Sequence, residues 1–357
     1  MQDLFSGIYK GKRVFITGHT GFKGSWLALW LLKLGAKVIG YSIDIPTRPS
    51  HFELLNLDMD SIRGDVRDKK KLLNAIKQNK PDIIFHLAAQ PIVRRSYVNP
   101  AETLEINIMG TVNILECCRK AQGIKAVVAI TSDKCYQNRE IKRGYKESDP
   151  MGGKDPYSAS KGCSELVINS YRESFFDSTL LASARAGNVI GGGDWAEDRL
   201  IPDIIKAAIN GEAVIIRSPN ATRPWQHVLE PLSGYLHLGE KLLEGEMKFA
   251  DCWNFGPGNE SNLKVEMVIQ RAKKHWNEIH YQIKKNKFGR REAGILMLDS
   301  SKTRRHLKWK SVWKSSFSIE RTISWYKEYY RNKTINSESD LEKYVQDARR
   351  LSLDWAK

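Results

Sequence analysis

The stretch Val14-Phe15-Ile16-Thr17-Gly18-His19-Thr20-Gly21-Phe22-Lys23-Gly24 decides the fold. Its first four residues are apolar or β-branched and read as a buried strand. Three glycines at GxxGxxG spacing follow as a tight turn, and Gly24–Leu34 carries a helical apolar period. Such a turn lets backbone N–H groups approach a pyrophosphate closely, with the helix N-terminus facing its charge. The candidate contacts are Gly18, Thr20, Gly21, Phe22, Lys23 and Gly24. A glycine triplet alone also fits an ordinary turn, so its context carries the weight. Asp44 ends the next strand-like run about 20 residues further on. A carboxylate there can accept from both adenosine ribose hydroxyls and would repel a 2′-phosphate, favouring NAD over NADP. A cap or turn role for Asp44 stays open, and Arg48 argues the other way. Asp65-Val66 follows the expected third strand and could border an adenine or cap the next helix.

Outward from this turn, Lys37–Tyr41, Ile83–Ala88 and Ala126–Ser132 read as further buried strands. Lys69–Gln78 and Pro100–Ala121 read as helices between them. Alternating strands and helices predict an α/β protein with a doubly wound parallel sheet covered on both faces. After Gly187 the pattern breaks at Gly191-Gly192-Gly193, Pro202, Pro219 and Pro224. Helix and strand return at Val228–Leu243 and Trp253–Phe255. The expected division is a nucleotide-binding domain of residues 1–187 plus about 226–260, and a smaller mixed α/β domain of about 188–225 plus 261–357.

The composition excludes several classes. No apolar run reaches the roughly 18–20 residues that span a bilayer, so no membrane association is expected. Five cysteines, an odd number without CxxC spacing, indicate neither a disulfide framework nor a zinc site, and fit a reduced cytoplasm. The charge is the outlier: 57 Lys and Arg against 41 Asp and Glu, a formal +16. Residues 264–357 hold 23 basic and 11 acidic side chains, most of that excess. Charge of this kind invites a nucleic acid or another polyanion as partner. That reading needs exposed aromatics among the basic residues. The tail's Trp276, Trp309 and Trp313 fit a domain core as easily.

Tyr157-Ser158-Ala159-Ser160-Lys161 supplies the chemistry. On a helix, positions i and i+4 share a face, so the phenol and the ammonium reach one cavity. The cation favours the phenolate and makes Tyr157 a general base.

With GHTGFKG (18–24), HLAAQ (86–90), Thr131-Ser132-Asp133-Lys134 and YSASK (157–161), the chain resembles an extended short-chain dehydrogenase/reductase of Rossmann type. TSDKCY (131–136), RAGNVIGGGDWAEDRLIPD (185–203) and RPWQHVLEPLSGYL (223–236) narrow the resemblance to the nucleotide-sugar 4,6-dehydratases, and there to the branch acting on CDP-glucose. The resemblance implies a hydro-lyase with NAD as cofactor, held also by Leu87, Ala88, Ala89, Tyr157 and Lys161. It implies oxidation at C4, loss of water across C5 and C6, and hydride return to C6. Where the family has Thr-Asp-Glu, this chain has Ser132, Asp133 and Lys134. Ser132 keeps the hydroxyl for the sugar O4, and Asp133 matches the acid on the departing 6-hydroxyl. Lys134 replaces the glutamate base at C5; it takes that proton only when neutral, and charged it would steady the enolate instead. Asn188 and Arg223 match the residues on the substrate ribose and pyrophosphate. Arg185, Arg199 and Leu200 share the matched stretch, and Arg290 and Arg291 lie near a further phosphate-binding arginine. The resemblance also implies a homodimer or dimer of dimers through the helices around Ala101–Cys118 and Ser158–Tyr171. It places the product on a route to deoxy and dideoxy sugars of bacterial surface polysaccharide. The rival readings are a nucleotide-sugar 4-epimerase or decarboxylase, a non-catalytic member of the group, and the polyanion binder. Asp133 and Lys134 argue for elimination, because an epimerase needs no acid or base at C5 and C6.

Overall fold

The computed structural model describes residues 1–284 and 295–357. Seven strands form one parallel sheet: β1 (Arg13–Thr17), β2 (Lys37–Ser42), β3 (Asp60–Arg63), β4 (Ile83–His86), β5 (Ala126–Ile130), β6 (Leu180–Arg185) and, after an excursion, β11 (Cys252–Asn254). Their order is β3-β2-β1-β4-β5-β6-β11. β4 and β5 are buried throughout, as expected of strands covered on both faces. Trp253–Phe255 was expected to return to the sheet, and β11 does so by pairing with β6.

Successive residues of β1 point to opposite sides, and each side has its own core. Val14 and Ile16 pack with helices α1 (Phe22–Lys33) and α9 (Leu229–Leu243). Phe15 packs instead with α3 (Lys69–Asn79), α6 (Gly110–Lys120) and α7 (Pro156–Phe175). Short helices α2 (His51–Leu55), α4 (Val93–Val98) and α5 (Pro100–Leu104) complete this half. The helix expected over Pro100–Ala121 is α5 and α6, joined by a π-helical turn at Glu105–Met109.

Residues 188–284 build the remaining small elements. These are β7 (Val189–Ile190), α8 (Leu200–Ile209), β8 (Ala213–Ile216), β9 (Thr222–Pro224), β10 (Gln226–His227), β12 (Asn262–Lys264), α10 (Val265–His275) and β13 (His280–Ile283). They pair as β7 with β10, β9 with β12 and β8 with β13. Of the two C-terminal helices, α11 (Ser315–Asn332) joins the core of α8 and α10 through Ile319, Ile323 and Trp325. Helix α12 (Ser337–Arg350) packs through Leu341 and Tyr344 with α1 and α9, beside Trp309 and Trp313. Trp276, Trp309 and Trp313 are all buried, which leaves these rings no face on which a base could stack.

Candidate active site

The sheet order reverses between β1 and β4, and the crevice outside their carboxyl ends is the usual ligand site of such a fold. Gly18 follows β1 at φ +78°, and a Cβ there would lie 2.8 Å from the Ala88 nitrogen. At Gly24 a Cβ would lie 2.1 Å from the Gly18 carbonyl oxygen. Both glycines are required by close backbone approach, and together they form a cradle that side chains would fill. Helix α1 opens at Gly21 with no side-chain cap, so its first N–H groups are left for a ligand. Thr20 ties the turn to the segment just after β2 by donating its hydroxyl to the Asp44 carbonyl at 2.7 Å. His19 is structural: its ring nitrogens meet Ser61 and Ser42 at 2.7 and 2.9 Å, and burial pushes its pKa down to about 4. Leu87 N and Ala88 N bond Thr17 O and Oγ1 at 3.0 and 3.2 Å, which sets the β4 end against the turn. These features fit a dinucleotide such as NAD.

Asp44 is exposed at the rim, with its Oδ1 accepting from Ile45 N at 2.8 Å. Arg63, at the end of β3, approaches its carboxylate to 3.7 Å. Arg63 was not foreseen from the sequence; β3 lies next to β2 and brings it there. Asp65 does not cap α3, because Asp68 does, accepting from Lys71 N at 3.0 Å. The Asp65 carboxylate binds Arg67, at 2.6 Å to Nη2, and Val66 is buried beneath Gly110.

The catalytic candidates come together across β5 and α7. Asp155 caps α7 by accepting from Ser158 N at 2.9 Å, and Pro156 starts the helix. This places Tyr157 and Lys161 one turn apart, both buried. Burial pushes Tyr157 up to about 12, against the downward pull of the neighbouring Ser132 hydroxyl and the Arg199 guanidinium. Desolvation thus outweighs the phenolate-favouring effect expected from the Tyr-x-x-x-Lys spacing. Burial also pushes Lys161 down to about 8. Ser132 Oγ donates to Asp133 Oδ1 at 2.9 Å, while the buried Asp133 Oδ2 has no hydrogen-bond partner among the described residues. A Cβ at Gly187 would lie 1.9 Å from that oxygen, so only glycine leaves it room. Lys134 is half-buried, with Nζ 5.9 Å from the centre of the Tyr157 ring. Lys23 reaches the same region from α1. Burial pushes it down to about 8, with the Arg199 and Lys161 charges adding to the effect.

On the other wall, Arg199 pairs with Asp194 at 2.8 Å, and Leu200 begins α8. Asn188 adopts φ +49°, with its carbonyl accepting from Gln226 N at 3.3 Å. Arg223 is buried in β9 and donates to the Thr222 carbonyl at 2.9 Å. Arg290 and Arg291 lie outside the described residues. Arg185 does not face a ligand: it forms a buried ion pair with Glu165 at 2.7 Å and bonds Tyr136 Oη at 2.7 Å.

Sequence reading missed Asn107, in the π-helical turn. Its side chain bonds Ser160 Oγ inside YSASK at 2.8 Å, and accepts from Gln90 N at 2.8 Å. It therefore joins the β4 exit to the catalytic helix. A polar residue placed mid-helix between apolar neighbours was the available signal. His86 was missed too. It is buried against Thr17 Oγ1 at 2.7 Å, and burial and the Lys161 charge push it down to about 3. Among the described residues no group of His, Cys, Asp and Glu could hold a metal, and all five cysteines are free.

The family described as GDP-mannose 4,6 dehydratase matches residues 15–322. CDP-glucose 4,6-dehydratase of Salmonella typhimurium is 49% identical over 348 residues, covering 94% of this chain and 97% of its own. Among solved structures, UDP-glucose 4-epimerase of Thermotoga maritima superposes with a TM-score of 0.78 at 20% identity, over 89% of this chain and 100% of its own. DesIV of Streptomyces venezuelae, a dTDP-glucose 4,6-dehydratase with NAD bound, gives 0.76 at 24%, over 88% and 97%. At these identities the two structures speak for the fold alone.

Proposed function

The chain belongs to the GDP-mannose 4,6 dehydratase family of nucleotide-sugar enzymes, and from that premise we propose that it converts CDP-D-glucose to CDP-4-dehydro-6-deoxy-D-glucose with NAD. The observation that carries the reading is the convergence of Ser132, Asp133 and Lys134 on Tyr157, with Asp133 Oδ2, unpartnered among the described residues, set over Gly187. Oxidation and reduction at C4 alone have no use for this acid. The 49% relative, which covers nearly the whole chain, supports the same reaction.

NAD would be held by Gly18–Gly24, Asp44, Asp65, Val66, Leu87–Ala89, Tyr157 and Lys161, and when bound it accepts hydride from C4 and returns it to C6. Tyr157 removes the proton of the 4-hydroxyl, steadied by Ser132 and by Lys161, whose depressed pKa makes it ready to exchange a proton. Asp133, in protonated form, gives its proton to the departing 6-hydroxyl, which leaves as water. Lys134, in neutral form, takes the C5 proton made acidic by the 4-ketone. Asn188, Arg199, Leu200, Arg223 and Arg291 bind the nucleotide; the planar fork of arginine suits phosphate oxygens. Residues 1–187 with about 226–260 serve the cofactor, and about 188–225 with 261–357 serve the substrate.

Leu104, Met109 and Leu166 are exposed on α5, the π-helical turn and α7, which supports pairing of two copies through those helices as a dimer or dimer of dimers. Among the described residues no helix is long and apolar enough to cross a membrane, and five free thiols suit a reducing cytoplasm. The product would enter deoxy-sugar synthesis for surface polysaccharide. The test is incubation of the purified protein and NAD with CDP-, dTDP- and UDP-glucose. A 4-keto chromophore that develops in alkali, most strongly with CDP-glucose, is expected. Its absence with all three substrates would overturn the proposal.

A further inference from the structure

A buried chain of hydrogen bonds lies between the cofactor turn and the wall that carries Arg199, and His51 is its centre. Ser25 Oγ stands 2.9 Å from the Phe22 carbonyl and 2.7 Å from His51 Nδ1. His51 Nε2 stands 2.8 Å from Ser337 Oγ, which is 2.9 Å from Trp325 Nε1. Every side chain in this run is buried. The inventory of protons leaves one direction. A carbonyl only accepts, so Ser25 gives it its single proton and must accept from His51 Nδ1–H. A neutral imidazole has one N–H, so Nε2 accepts the Ser337 proton, and Ser337 accepts from the Trp325 indole. Burial holds His51 neutral, with its pKa pushed down to about 3. The order Trp325, Ser337, His51, Ser25, Phe22 therefore admits a single tautomer, and every member is satisfied.

The ring also forms the floor of the glycine-rich loop. A Cβ at Gly193, which sits at φ +86°, would lie 2.5 Å from His51 Cδ2. A Cβ at Gly192 would lie 2.1 Å from the Trp325 ring, and the Gly192 carbonyl accepts from Trp26 Nε1 at 2.9 Å. Trp26 itself stacks on His51 at 4.9 Å. The next residue, Asp194, holds Arg199. At the opposite end, Phe22 is the first residue of α1, where the free N–H groups face the candidate dinucleotide. Two ligand sites thus share one rigid, fully bonded seat.

We propose that His51 is a positioning residue that seats Gly191–Gly193 on the first turn of α1, so that the dinucleotide and the nucleotide of the sugar substrate tighten each other's binding. This rests on the reading of the two sites given above. Coupling between sites is reciprocal and commonly amounts to 5–150-fold.

The test measures NAD affinity by calorimetry with and without saturating CDP, in the wild type, His51→Asn and Ser337→Ala. Asparagine keeps a donor toward Ser25 but loses the Nε2 acceptor. Ser337→Ala removes a single hydroxyl and serves where His51→Asn fails to fold. CDP should tighten NAD at least about fivefold in the wild type, and NAD should tighten CDP by the same factor. In the variants the factor should fall below about twofold, the loss exceeding any loss of affinity for NAD alone. A merely structural role would lower the melting temperature and leave the factor unchanged, and that result would overturn the inference. Binding of both ligands to the wild type without coupling would also overturn it. Failure of the wild type to bind either ligand would remove the functional reading as well as the inference.

Discussion

Tyr157 and Lys161 are both buried at the same end of α7, and burial moves them in opposite directions. With Tyr157 pushed up to about 12 and Lys161 down to about 8, Lys161 is the first of the two to lose its proton, near pH 8. In the proposed mechanism Tyr157 passes its own proton to neutral Lys161 as it takes that of the 4-hydroxyl, so loss of the Lys161 proton is required first. The log of kcat/KM should therefore rise with pH up to about 8 and level off above it. A profile flat from pH 6 to 9 would contradict this assignment. Tyr157→Phe should lower kcat by about 10²–10⁴-fold, with CDP binding changed only a few-fold, as read by calorimetry. For Lys134, the C5 proton gives the readout. Lys134→Met should abolish solvent-deuterium incorporation at C5, whereas incorporation at the wild-type rate would assign that proton to another group. These residues were legible because each sits in a short consecutive motif. Arg63, His51 and Asn107 were not, because their partners at Asp44, Ser337 and Ser160 are distant in sequence.

At the scale of elements, the catalytic helix is held from two sides. Asn107 bonds Ser160 from the π-helical turn, and Glu165, lower on α7, pairs with Arg185 of β6 and accepts from Ser183 at 2.8 Å. Removing one partner of such a pair leaves a buried charge and costs about 3–5 kcal/mol. Arg185→Met should accordingly lower the urea midpoint strongly. Replacing both members, Arg185→Met with Glu165→Leu, should recover much of that loss, and chemical denaturation of the three proteins measures it. The strand–turn–helix around Gly18 was legible for a definite reason. A four-residue apolar run, glycines and a helical period each make a different physical demand, and they agree at one place. The π-helical turn was not legible, since its period differs from an ordinary helix over a single turn.

At the scale of the molecule, the +16 charge and the tail assume a smaller meaning. Arg304, Arg305, Lys308 and Lys310 are exposed around buried Leu307 and Trp309, so the excess charge there is solvated surface around an apolar anchor. The sequence showed basic residues and tryptophans in the tail but not what they dock against. α11 and α12 both carry an apolar stripe, and only the three-dimensional arrangement sends one to α8 and α10 and the other to α1 and α9. The exposed Leu104, Met109 and Leu166 belong to this scale as well. Light scattering at micromolar concentration should give at least a dimer, and Leu166→Glu with Met109→Glu should give a monomer. A monomeric wild type would contradict the pairing. The elimination is enclosed by a hydride that leaves C4 and returns at C6, and deuterium placed at C4 follows that hydride. CDP-[4-²H]glucose, turned over with NAD and examined by NMR and mass spectrometry, should yield a 4-keto-6-deoxy product with the deuterium in its C6 methyl group. Deuterium retained at C4 of an unreacted or epimerised sugar, with no methyl signal, would contradict the account.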